Sequence, residues 1–336
     1  MAGIPAHSEL PLFSSHSHGK IEPDDKQNIK ICIQGMAMKK TCKTVSLVLG
    51  SGGARGLAHI GVIRVLEERG YEIRSISGSS MGALIGGIYA AGKLDTYARW
   101  VCALDRLDVL KLLDLSFSGT AIFKGERIIN TLRELIGDRN IEDLPFSFTA
   151  VATDLDESKE VWLSSGSLFN AIRASIAFPT VFSAIHYHGR HLVDGGLLNP
   201  VPIAPTLRDM TDLTIAVSLS GKVDNTPSQL EAPAPADGPR NRYHRKIIDF
   251  IDGLQDMFNG GDEDEEDDTG IFDVVSKSLD AMQSTIANFK LAAYTPDILI
   301  ELPKNICTIY EFERAKELIE IGRRKAEEVL AARDRD

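Results

Sequence analysis

Gly78-Ser79-Ser80-Met81-Gly82 follows Ile73-Arg74-Ser75-Ile76-Ser77, which reads as a strand, and precedes Ala83-Leu84-Ile85-Gly86-Gly87-Ile88-Tyr89-Ala90. This order reads as a strand, a sharp turn and a helix. The same arrangement occurs once before. Val45-Ser46-Leu47-Val48-Leu49 reads as a buried strand that runs into Gly50-Ser51-Gly52-Gly53-Ala54-Arg55-Gly56. Ile60, Val62, Ile63, Val65 and Leu66 then give a broad helical face, and Gly70 stands where a helix C′ residue would. Two successive units of this kind predict an α/β fold on a mainly parallel sheet. Further strands are expected at 146–152, 159–163, 185–193, 213–219 and 297–302. Helices are expected at 125–136, 168–175, 271–293 and 310–333.

The 336 residues carry 48 Asp plus Glu against 37 Lys plus Arg, a formal charge of −11 that speaks against a dedicated nucleic-acid binder. Seven of those negative charges stand together at 262–268, so the remainder is only mildly acidic. With 43% hydrophobic and 25% charged residues the chain is globular, not disordered. Four scattered cysteines, Cys32, Cys42, Cys102 and Cys307, form no CxxC pair, so neither a disulfide framework nor a zinc site is expected. No apolar signal core marks the N-terminus, which predicts a cytoplasmic protein. Residues 75–92 lack charge and space Gly78, Gly82 and Gly86 like a membrane helix dimer. Half of that window is Ser or Gly, and a buried helix beside a tight turn explains it better.

G-x-S-x-G between a strand and a helix is the setting of a nucleophile elbow, with Ser80 as nucleophile; an ordinary glycine-serine turn is the plain alternative. The loop at 50–56 lacks the Gly-Lys-[Ser/Thr] of a phosphate loop, and Arg55 stands where a dinucleotide fingerprint needs glycine. Backbone amides of small residues at a helix N-terminus suit an oxyanion hole instead. For the base, two arrangements stand open. One is a triad of Ser80, Asp154 or Asp156, and one of His186, His188 or His191. The other is a dyad of Ser80 with Asp194, in Val193-Asp194-Gly195-Gly196, which works best if burial raises the carboxyl toward neutrality.

Taken in order, these motifs resemble the patatin-like phospholipase family. Its glycine-rich loop is matched by Ser51-Gly52-Gly53-Ala54-Arg55-Gly56, its G-x-S-x-G by Gly78 to Gly82, and its D-G-[A/G] by Asp194-Gly195-Gly196. The stretch Ala174-Ser175-Ile176-Ala177-Phe178-Pro179-Thr180-Val181-Phe182 is similar to the one that precedes the family's aspartate. The resemblance implies a three-layer α/β/α patatin-like fold and a Ser80–Asp194 dyad, with acyl transfer to Ser80. It implies oxyanion donors at Gly52, Gly53 and Ala54, supported by Arg55, Gly56, Gly78, Gly82, Gly195 and Gly196, and no metal or cofactor. The expected activity is serine acyl hydrolysis of phospholipid, lysophospholipid or another acyl ester, in lipid catabolism, with contact at a membrane periphery and no nucleic-acid partner. A regulatory protein of the same fold with little activity is the other outcome. Ser51 replaces the family's first glycine, and a serine offers the same N–H if its φ is not positive. Arg55 is expected to fix the loop by hydrogen bonds and not to bind lipid phosphate.

The organisation expected is an N-terminal extension at 1–44, a catalytic domain at 45–206, and a C-terminal part at 207–336 that completes the fold. A Pro-rich, then basic, then acidic stretch at 221–270 reads as a disordered insertion with a short helix at 247–258. Ile271, Val274, Val275, Leu279, Met282 and Ile286, at helical spacing, read as core contact, with membrane-surface docking or lid action as the alternative; Trp100, Trp162 and His59 read as packed residues.

Overall fold

The computed structural model describes residues 42–112, 114, 121–223 and 271–335. The expectations for residues 1–41 and 224–270, the short helix and the acidic run among them, lie outside the described residues. The elements run β1 (Thr44–Leu49), α1 (Ala58–Glu68), β2 (Glu72–Ser79), α2 (Met81–Ala90), α3 (Leu94–Val101), α4 (Arg106–Lys111), β3 (Ala121–Phe123), α5 (Glu126–Ile136), β4 (Ser147–Asp154) and β5 (Lys159–Leu163). They continue with α6 (Leu168–Ser175), β6 (Thr180–Phe182), β7 (Ile185–Tyr187), β8 (Arg190–Asp194), β9 (Leu213–Gly221), α7 (Ile271–Ala293), β10 (Ile298–Pro303) and α8 (Ala315–Arg333).

The central sheet is ordered β10-β9-β1-β2-β4-β8-β7, with β5 on β4. β10, β9, β1, β2 and β4 are mutually parallel, whereas β5, β8 and β7 pair antiparallel. Alternation along β1 assigns its two faces. Val45, Leu47 and Leu49 enter the main core with Ile60 and Ile63 of α1, Ile85 and Ile88 of α2, Phe169 of α6 and Leu318 of α8. Val48 faces the other way, with Val201, Ile203, Ala216 and Ala287 of α7. The result is three layers. α2 begins hard against the end of β1: a Cβ on Gly82 would lie 2.0 Å from the Leu49 carbonyl oxygen, so only glycine lets the helix start there.

No helix among the described residues is long and apolar enough to cross a membrane. The uncharged window at 75–92 divides between the end of β2 and the buried α2.

Several expectations need correction. The single strand expected at 185–193 is a hairpin, β7 and β8, turned by His188 at φ 48° and Gly189 at φ 75°. Trp162 is half exposed on β5, its indole N–H donating to Glu160 Oε2 at 3.2 Å, and is not a core aromatic. α7 buries only part of its apolar residues: Val274, Val275, Met282 and Phe289 are exposed, while Leu279, Ile286 and Leu291 are half-buried and Gln283 and Ala287 face the body.

Candidate active site

β4 positions the site. Its residues Ala150 and Val151 pair with β5 on one edge and with Gly78 and Ser79 of β2 on the other. From Ala152 onward β5 keeps its edge, so β8 takes over the one that β2 has left, with Asp194 opposite Ala152. Consecutive residues of one strand therefore hold Ser79 and Asp194. Gly195 is obligatory at this junction, since a Cβ there would stand 2.0 Å from the Val151 carbonyl oxygen.

Ser80 has φ 55° and ψ −124°. For a non-glycine residue this is a strained conformation, with a cost of roughly 1–3 kcal/mol that the surroundings must offset. Its N–H donates to Ser175 Oγ at 2.9 Å, and its carbonyl accepts the amides of Ala83 at 2.9 Å and Leu84 at 3.1 Å. Ser175 is itself buried and donates its hydroxyl to the Val151 carbonyl at 2.6 Å. Sequence assigns Ser175 no role of its own, although it stands in the Ala174–Phe182 stretch that resembles the family. Ser175→Ala strands the Ser80 amide without an acceptor. It should lower stability by about 1–3 kcal/mol in thermal melts and reduce turnover of a soluble ester with little change in KM.

The Ser80 hydroxyl donates to Asp194 Oδ2 at 2.6 Å, and Asp194 Oδ1 accepts the Gly196 amide at 2.7 Å. Both side chains are buried. Burial pushes the Asp194 carboxyl up to about 7, against the opposing pull of the Ser80 and Gly196 hydrogen bonds. The histidines lie elsewhere. His191 bonds Asp156 through Nδ1 at 2.7 Å and stands three residues before Asp194, about 10 Å along an extended strand. His186 and His188 are exposed on the hairpin.

The glycine loop is pinned by its own backbone. The amides of Gly50, Ser51 and Ala54 donate to the carbonyls of Val217 at 3.0 Å, Pro200 at 2.8 Å and Ile309 at 3.0 Å. Ala54 is therefore corrected as an oxyanion donor, because its N–H is already spent. Ser51 keeps a non-positive φ but likewise spends its amide. Gly52 and Gly53 donate to no acceptor among the described residues. Arg55 is buried and fixes the loop: Nε donates to the Gly52 carbonyl at 3.1 Å, Nη1 to the carbonyls of Leu219 at 3.3 Å and Lys304 at 3.2 Å, and Nη2 to Asp280 of α7 at 2.8 Å. His59 is fully buried, which pushes it down to about 4 and keeps it neutral, so its Nε2–H donates to the Gly50 carbonyl at 2.9 Å. Among the described residues no group of three His, Cys, Asp or Glu is placed to hold a metal.

A family model described as patatin-like phospholipase matches residues 47–207. The chain is also 41% identical over 330 residues to an uncharacterized NTE family protein of Mycobacterium tuberculosis, spanning 86% of this chain and 91% of that one. The chain belongs to the patatin-like phospholipase family. This patatin-like phospholipase is a hydrolase of carboxylic esters. It is 33% identical over 196 residues to a lysophospholipase nte1 of Emericella nidulans, across 57% of this chain but only 13% of that protein. Among solved structures, VipD from Legionella pneumophila overlaps at a TM-score of 0.43 and 16% identity, covering 87% of this chain and 67% of that one.

Proposed function

We propose that this chain is a serine acyl hydrolase of lipid esters that works by a Ser80–Asp194 dyad. The 2.6 Å hydrogen bond between the two side chains, at a carboxyl pushed up to about 7, carries the reading. As Ser80 Oγ attacks the acyl carbonyl, Asp194 accepts its proton, and the developing oxyanion takes the free amides of Gly52 and Gly53. Collapse breaks the ester bond, and the leaving alcohol takes the proton from Asp194. Water then attacks the acyl-enzyme, gives its proton to Asp194, and releases the fatty acid with Ser80 restored. Each oxyanion donor of this kind is typically worth a factor of roughly 10² to 10³ in rate.

Relatives named as lysophospholipases support a single-chain phospholipid as substrate. The testing experiment is hydrolysis of a chain-length series of p-nitrophenyl esters alongside lysophosphatidylcholine micelles. Turnover that rises with chain length and extends to the micelles is expected. Inertness toward both would overturn the reading.

α7 supports contact with a lipid surface. Its charged Asp280 and Lys290 turn inward to Arg55 and Glu160, while Val275, Met282 and Phe289, spaced by seven residues, stay outside. A helix that ties two of its ions to the protein and leaves three large apolar residues in water suits an interface. Met282→Glu with Phe289→Glu should weaken sedimentation with phosphatidylcholine vesicles by about tenfold or more, since each side chain loses its gain from burial. Hydrolysis of p-nitrophenyl acetate should not change.

A further inference from the structure

On the flank of the main core, α5, α6 and the residues around β7 line an open cavity of about 540 Å³. Lys124, Arg133 and Arg173 line it, with Glu126 as its carboxylate and Asn130 and Asn170 as its amides. Arg173 is 8% exposed. Its Nη2 donates to the carbonyls of Lys124 and Ser183, but Nη1 is buried with no hydrogen-bond partner among the described residues. No carboxylate there comes within ion-pairing distance of it, and Asp114 is occupied in capping α5 through the amides of Gly125 and Glu126. Burial disfavours the charged guanidinium, and Asp114 and Glu126 support it only at longer range. Arg133 is also weakly engaged. It reaches Asn130 Oδ1 at 3.5 Å, Asn170 Oδ1 at 3.3 Å and Asp138 at 3.5 Å.

A buried guanidinium without a counter-ion is costly, and natural proteins resolve such charges by pairing them. Here three cations face one carboxylate around a space large enough for a ligand. We infer that this cavity is a binding site for a phosphate group, held by Arg133 and Lys124 with the buried charge of Arg173 behind them. A guanidinium suits phosphate oxygens, and several cations around one space suit an anion of more than one charge. The site is separate from the dyad yet linked to it. Two residues beyond Arg173, the same helix carries Ser175, whose hydroxyl holds the Ser80 amide. The phosphate can belong to a lipid headgroup or to a free phosphate compound, and the binding itself does not depend on the hydrolase reading.

The test is calorimetric titration of the full chain carrying Ser80→Ala, with inorganic phosphate and, separately, with glycerophosphocholine. Turnover plays no part in the readout, so failure here is distinct from failure of the proposed chemistry. Saturable binding of either probe is expected, weakened at least tenfold by Arg133→Gln and by Arg173→Lys, which keeps a charge but loses the carbonyl bonds that place it. Tighter binding of glycerophosphocholine assigns a headgroup site, and tighter binding of inorganic phosphate a site for the free anion. Absence of saturable binding to both probes overturns the inference. So does affinity unchanged by Arg133→Gln, a partly exposed position whose variant keeps the Arg173 carbonyl bonds; if Arg173→Lys does not fold, Arg133→Gln alone decides.

Discussion

Asp194→Asn should abolish nearly as much ester turnover as Ser80→Ala, about three to four orders of magnitude in kcat for each. Asparagine preserves the shape and can still accept the Gly196 amide, but it takes no proton from Ser80. In a triad the same change would be felt only through a histidine, and no histidine touches Ser80 or Asp194 among the described residues. His188→Ala and His191→Ala should therefore stay within about threefold of wild type, a change no larger than a small packing adjustment. The double variant Ser80→Ala/Asp194→Asn should be no slower than Ser80→Ala alone, because residues that act as one unit are not additive. An Asp194→Asn enzyme within tenfold of wild type would remove Asp194 from the chemistry.

The same substitution should make the protein more stable at pH 8. Unfolded, Asp194 ionises near the ordinary value of 3.8; folded, burial holds it up to about 7. Below pH 4 both states carry the proton and the carboxyl has no effect on stability. Between pH 4 and 7 the unfolded state releases its proton while the folded state keeps it, so wild type loses stability as pH rises, and above 7 the penalty is constant. Each pK unit is worth about 1.4 kcal/mol, so the gain for Asp194→Asn at pH 8 is at most about 4 kcal/mol. Melting curves of both proteins from pH 4 to 8 measure it, and curves that stay parallel across that range would contradict it. In the active enzyme, kcat/KM should rise with pH through about 7 as the base ionises, then level off.

Local sequence made the β1 and β2 units legible, because each strand, glycine turn and helix is written within some twenty-five residues. β5, α6 and α7 likewise carry their period in their own residues. What stayed hidden was long-range. Within residues 185–193 Gly189 alone marks a turn, and the positive φ of His188 beside it is set by the hairpin. Ala54 looked like a free donor because its acceptor, Ile309, lies 255 residues later. The periodicity of α7 is legible but its direction only in part: Leu279 and Ile286 are half-buried, whereas Val274, Val275 and Met282 are exposed because the ion pairs of Asp280 and Lys290 hold another face to the body. Ser80, Asp194 and the free amides of Gly52 and Gly53 were all within reach of motif reasoning. Ser175, which steadies them, was not.

Ser80 and Asp194 are 114 residues apart in the chain, yet the gap between them is set by a single step along β4, from Val151 to Ala152. Length changes in the surface loops between these elements therefore leave the reacting pair undisturbed, and the lineage is free to remodel the lining of its substrate pocket through insertions there. One added residue inside β4 would do the opposite, shifting the ruler on which both partners are aligned.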